Sequence, residues 1–158
     1  MVVRMIVVGR PGRLLQEAIA EYEERARRYW KLEVVEVKDE RAARPGDEVR
    51  VRAAEGERIL QRVGDGIELV ALTRGGKGWS STELAKHLGT AADQGRAGVA
   101  FVIGGAFGLS PAVLQRATHR LRLSTGTLPH DLARLVLAEQ IYRAGTINRG
   151  EPYHKGAE

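Results

Sequence analysis

Residues 99–103, Val-Ala-Phe-Val-Ile, form an unbroken apolar run that stops at Gly104 and Gly105. A strand that is apolar on both faces needs cover on both sides, which is the situation inside a parallel sheet flanked by helices. Residues 2–8, 32–37, 67–72 and 121–124 read as four further strands, rich in Val, Ile and Leu. Between them the apolar spacing changes to that of helices. Leu14, Leu15, Ala18, Ile19, Tyr22, Ala26 and Tyr29 keep that spacing to about Trp30, and a second helix over residues 48–63 has Ala53, Ile59, Leu60 and Val63 as its inner face. Ser80 with Glu83 three residues later is a capping box for a third helix, and Ser110-Pro111 is an N-cap and N1 pair for a fourth. Leu128-Pro129-His130 opens a long fifth helix, whose buried side includes Leu132, Leu135, Val136, Ile141 and Ala144. The order is strand then helix, five times. It predicts an α/β fold: a mostly parallel sheet of five to six strands with helices on both faces, in one domain spanning residues 1–158.

Ligands on such sheets bind beyond the carboxyl ends of the strands. Three strands here end in loops of small residues, at 72–78, 104–108 and 124–127, which leave room for a ligand against backbone. Neither of two tempting motifs qualifies. Gly9-Arg-Pro-Gly12 lacks the three-glycine spacing of a dinucleotide loop, and Lys77 is followed by Gly78 where a phosphate loop needs Ser or Thr. The segment 38–47 reads as a charged, solvated loop. The chain has no cysteine, which removes disulfides, thiolate metal sites and a cysteine nucleophile. Its four histidines have no carboxylate at ligand spacing along the sequence, so no metal is expected. No apolar run reaches the length of a membrane span, so a cytoplasmic protein without membrane contact is expected. The 25 Lys plus Arg against 20 Asp plus Glu give a net charge of +5, which suits a polyanionic partner.

The C-terminal third carries a family resemblance. Leu123-Ser-Thr-Gly-Thr-Leu-Pro-His130, then Ala133-Arg134 and Glu139-Gln-Ile-Tyr-Arg143, then Arg149-Gly-Glu-Pro-Tyr-His-Lys155 resemble, in order and spacing, the signature of the RlmH-type SPOUT-class 23S rRNA pseudouridine N3-methyltransferases. The run from Phe101 to Leu109 is similar to the glycine loop of that class, and residues 73–84 resemble its Gly-Lys and Ser-Ser segment. The resemblance implies a deep C-terminal trefoil knot and a bent S-adenosyl-L-methionine between the knot loops. It implies that Leu72, Gly104, Gly105, Leu123, Ser124, Thr125, Gly126, Thr127 and Leu128 line the cofactor site. It further implies a homodimer that acts on 23S rRNA in the assembled ribosome. A SPOUT methyltransferase for another RNA and a noncatalytic ribosome-binding module are the alternatives.

Methylation at N3 requires the imide proton to leave while the nitrogen is held in line with the methyl donor. In the family the tail folds back over the cofactor, so Tyr153, His154 and Lys155 are the candidate catalytic residues. His154 would take or relay the proton, and Lys155 would place charge near the uracil oxygens or a phosphate. His130 reads as a support for the loop at the helix start. Arg134 and Arg143 read as partners of Glu139 or as RNA contacts, and Arg4, Arg25 and Arg28 are assigned to the RNA surface.

Overall fold

A computed structural model describes residues 1–155. Strands β1 (Val2–Val8), β2 (Lys31–Val37), β3 (Ile67–Gly78), β4 (Gly98–Ile103) and β5 (His119–Arg122) alternate with helices. The helices are α1 (Gln16–Arg27), α2 (Glu48–Val63), α3 (Ser81–Asp93), α4 (Pro111–Arg116) and α5 (His130–Asn148), followed by a 3₁₀ turn at Pro152–His154. The sheet has five strands in the order β2-β1-β4-β3-β5, and every neighbouring pair is parallel.

Side chains alternate between two cores, as the period of a strand requires. Val3, Met5, Val7, Val70, Val99, Phe101 and Ile103 pack on the layer of α1, α3 and α5, with Leu88, Leu137 and Ile141 among their partners. Ile6, Val8, Leu69, Ala71, Ala100 and Val102 pack on the layer of α2 and α4, against Ile59, Val63 and Val113. The central β4 is buried along its whole length, as its apolar run requires.

Local signals act as expected at α3, where the Ser80 hydroxyl accepts the Glu83 N–H at 3.1 Å and the Glu83 carboxylate accepts the Ser80 N–H at 2.7 Å. Such a cap is worth about 1 kcal/mol. Ser110 caps α4, with Pro111 in its first turn.

Four expectations need correction. Helix α1 begins at Gln16, and Leu14 is 94% exposed, because the chain is still turning out of the Gly9–Gly12 region there. On α2 the inner face is shifted: Ala53 is exposed, while Val51, Glu55 and Gly56 are buried. Gly56 is buried because α4 crosses it so closely that a Cβ would collide with the Ser110 hydroxyl. The third strand does not end at Leu72. Leu121 is paired first with Leu72 and again with Lys77, so residues 73–76 form an excursion from the strand. Gly76 permits this, since a Cβ there would stand 2.6 Å from the Leu121 carbonyl carbon. Finally, the buried side of α5 is Leu137, Ala138, Ile141 and Ala144, while Leu132, Leu135 and Val136 are only half-buried. The 38–47 segment is an exposed, charged loop as expected, held in place by ion pairs. Arg58 bonds Glu40 at 2.5 Å and the Lys38 carbonyl at 2.9 Å, and Arg50 forks onto Asp47. Arg50, with the Ala43 N–H adding to it, lowers the Asp47 carboxyl to about 2.

Candidate active site

The middle of β3, where its excursion begins, and the carboxyl ends of β4 and β5 open into one cavity of about 910 Å³. Leu72 and Thr73 enter it from β3, the turn at Gly104, Gly105 and Ala106 from β4, and Arg122 and Leu123 from β5. Leu128, Pro129 and His130 close it at the start of α5. The Gly104 turn is tight: a Cβ on Gly104 would stand 2.8 Å from the Gly108 carbonyl carbon, and the Gly108 N–H donates to the Gly105 carbonyl at 3.1 Å. At the other turn the Ser124 hydroxyl accepts the Gly126 N–H at 3.0 Å, which folds the polar loop back on itself. The start of α5 is tied to the β1–α1 loop, because Asp131 accepts the Gly12 N–H at 2.7 Å and lies 3.1 Å from His130 Nε2.

Of the residues assigned from the resemblance, Leu72, Gly104, Gly105, Leu123, Ser124, Gly126, Thr127 and Leu128 line this one cavity. Thr125 is exposed in the same loop and is not part of the wall. Sequence reasoning missed three arginines of the lining: Arg52, Arg74 and Arg122. Arg52 reaches the Phe107 carbonyl at 3.4 Å and Arg74 reaches the Thr127 hydroxyl at 3.5 Å, so each touches a turn from a different element. Only their positive charge was legible beforehand. A second, smaller cavity adjoins through Gly105, Ala106, Phe107 and His130, with Glu55 in its wall.

Tyr153, His154 and Lys155 are not brought to the cavity of their own chain. The 3₁₀ turn packs on the middle of α5: the Tyr153 hydroxyl donates to Glu139 Oε1 at 3.1 Å, and its ring lies against Tyr142 with Arg143 over it. Glu151 is held by the Tyr29 hydroxyl, so the turn is anchored on both sides. The expected closure of the tail over the site is therefore not met within one chain, because these contacts point it along α5. Burial, with the Glu139 carboxylate adding to it, pushes the Tyr153 phenol well up, so it stays protonated and acts as a donor. His154 Nδ1 is buried and has no hydrogen-bond partner among the described residues. Lys155 is exposed.

The basic residues sort differently from expectation. Arg143 does pair with Glu139, at 2.6 Å. Arg134 does not: it is buried and bonds Glu23 through Nε and Nη2 at 3.0 and 2.7 Å, and Glu36 through Nη1 at 2.6 Å. Arg4 is occupied by Glu33 and by the carbonyls of Arg62 and Val63 at the end of α2, and Arg25 by Glu21 and the Tyr22 ring.

Comparison with known proteins shows the family. Residues 1–154 match the family model described as "Predicted SPOUT methyltransferase". A protein of Gemmatimonas aurantiaca named ribosomal RNA large subunit methyltransferase H is 49% identical over 154 residues, covering 97% of this chain and 99% of that one. Its namesake from Limosilactobacillus fermentum is 48% identical over 157 residues, with the same coverage. Among solved structures, "a probable methylase family protein from Haemophilus influenzae Rd KW20" superposes with a TM-score of 0.56, covering 99% of this chain and 70% of that one. At 10% identity that likeness concerns the fold alone. The five-stranded parallel sheet, the matched family model and the near full-length relatives together make this chain a member of the SPOUT methyltransferase family, in its ribosomal RNA large subunit methyltransferase H branch.

Proposed function

We propose that this protein transfers a methyl group from S-adenosyl-L-methionine to N3 of a pseudouridine in 23S rRNA of the assembled ribosome. It works in the cytoplasm as a homodimer, each chain a single domain, residues 1–158, with the C-terminal trefoil knot of its class. The observation that carries this reading is the convergence on one cavity of the β3 excursion after Leu72 and the turns that follow β4 at Gly104 and β5 at Leu123.

The wall fits such a methyl donor. Leu72, Leu109, Leu123 and Leu128 offer apolar cover for a purine, and the turns at Gly104, Ser124 and Gly126 offer backbone groups for hydrogen bonds. The volume of about 910 Å³ is within the range of pockets that enclose a small molecule. When bound, S-adenosyl-L-methionine supplies an electrophilic methyl group on a sulfonium. The chain's own residues must orient the base, exclude water and accept a proton. Arg52, Arg74 and Arg122, set in the cavity wall, are suited to the phosphates of the RNA and to the negative charge that develops on the uracil ring. The knot reading rests on membership of the SPOUT family.

The tail would act on the cavity of the partner subunit. Tyr153 is anchored at Glu139, nine residues along α5 from His130, which is about 14 Å of helix. Between these points Leu132, Leu135 and Val136 are only half-buried, an apolar surface that a second α5 would cover. Antiparallel pairing of two such helices brings each tail to the amino end of its neighbour. There His154 would accept or relay the imide proton, held in place by Tyr153, and Lys155 would meet the uracil oxygens or a phosphate.

The test is to incubate the protein with labelled methyl donor and ribosomes that lack the modification, then map the label. Label at N3 of one 23S pseudouridine is expected; label elsewhere, or none, overturns the assignment. In single-turnover assays His154→Ala should lose about 100-fold or more while still binding the donor. A wild-type rate removes His154 from the chemistry.

A further inference from the structure

Outside the cavity, the fold assembles two imidazoles and a carboxylate whose positions in the sequence, 68, 87 and 119, gave no hint of a common site. Glu68 is near the start of β3, His87 is on α3 and His119 opens β5. Glu68 Oε1 lies 2.5 Å from His87 Nε2 and 3.6 Å from His119 Nε2, and the three atoms are all within 4.8 Å of one another. We propose that this cluster is a binding site for a divalent transition metal ion of the zinc class, held by Glu68 Oε1, His87 Nε2 and His119 Nε2.

Five features support it. Two imidazole nitrogens with one carboxylate oxygen are a donor set that zinc-class ions prefer over magnesium or calcium. Bonds of about 2.1 Å in tetrahedral array put ligand atoms about 3.4 Å apart. The Glu68–His119 separation already meets that, and the Glu68–His87 pair needs to open by about 1 Å. The other oxygen of Glu68 is held by Arg96 at 2.5 Å, which fixes the carboxylate and leaves Oε1 for the metal. Trp79 backs the site, its ring centroid 4.8 Å from that of His87 and 5.4 Å from that of His119, which holds both imidazoles in place. The Glu68 side chain is 10% exposed and that of His119 40%, so the site has a closed floor and an open side for a water or an exchangeable ligand.

The bound ion would clip the edge strand β5 to β3 and α3, four residues before Leu123, where the chain enters the cavity wall. The proposal does not depend on the methyl-transfer reading, because its readouts are metal binding and stability.

The experiment uses the untagged full chain. Calorimetric titration with zinc chloride should show about one saturable equivalent and a raised thermal midpoint. Copper chloride should quench the Trp79 fluorescence at the same stoichiometry. His119→Ala and Glu68→Gln should each weaken zinc binding about tenfold or more and abolish both effects. His119 is partly exposed, so its variant reports even if His87→Ala fails to fold. Absence of a saturable equivalent at submillimolar zinc, or binding unaltered in both His119→Ala and Glu68→Gln, overturns the proposal and leaves a hydrogen-bonded cluster only.

Discussion

A Cβ built on Gly105 would stand 2.9 Å from Glu55 Oε1, so the glycine turn of the cavity rests directly on a buried carboxyl group. Glu55 is 3% exposed; its Oε2 accepts the Glu40 N–H at 3.1 Å, and its Oε1 has no partner among the described residues. Burial pushes its pKa up, partly offset by the Glu40 N–H. A carboxyl whose folded pKa is raised contributes stability that is full below its unfolded pKa and is lost as pH rises through the folded value. Glu55→Gln should therefore have a higher thermal midpoint than the parent at pH 7, with the difference vanishing below about pH 4. A midpoint lowered at pH 7 would show that the charge is compensated.

Arg134 joins α5 to Glu23 on α1 and Glu36 on β2. Replacing it by Met leaves Glu23, 4% exposed, as a buried charge without its partner. The expected loss is about 3–5 kcal/mol in denaturant unfolding. Arg143→Met, which breaks a pair within one helix and a cation–π contact with Tyr153, should cost less, about 1 kcal/mol.

Gly76→Ala should destabilise the fold by about 1–3 kcal/mol, since the new methyl would meet the backbone of Arg120 and Leu121 at 2.6–2.7 Å and neither can rotate away. Because Leu121 lies between β3 and the cavity, donor affinity in equilibrium titration should fall with it. Gly75→Ala, whose Cβ would enter open space, should be close to neutral in both measurements.

Arg74 is exposed at the cavity, and its one side-chain hydrogen bond among the described residues is to the Thr127 hydroxyl, at 3.5 Å. Arg74→Ala should leave stability within about 0.5 kcal/mol. If it meets a phosphate, the slope of log affinity against log salt for ribosome binding should shrink by about 1. An unchanged slope would take Arg74 off the RNA surface.

Tyr153→Phe removes only the hydroxyl that donates to Glu139. Loss of one such bond, about 1 kcal/mol, should slow single-turnover methyl transfer about fivefold through misplacement of His154. Donor binding should be unchanged, because the residue lies outside the wall of its own cavity.

The sequence by itself determined the elements and their order. All five strands and all five helices are where apolar periodicity, Ser80 with Glu83, and Ser110 with Pro111 put them. These signals act over a few residues, so backbone geometry alone expresses them. They fail at element ends such as Leu14, and on the face of α2, where contact with α4 selects Gly56 over Ala53 for the interior. Of the nine residues assigned to a cofactor site from the family resemblance, eight lie in the wall of one cavity.

Tertiary structure decided everything that depends on the strand order β2-β1-β4-β3-β5. That order, set by packing two cores against one sheet, makes turns about twenty to fifty residues apart share a cavity. It gave Arg134 to Glu23 instead of Glu139, settled the tail along α5, and gathered Glu68, His87 and His119. No periodicity in a chain encodes such meetings, because each depends on the mutual burial of surfaces far apart in sequence.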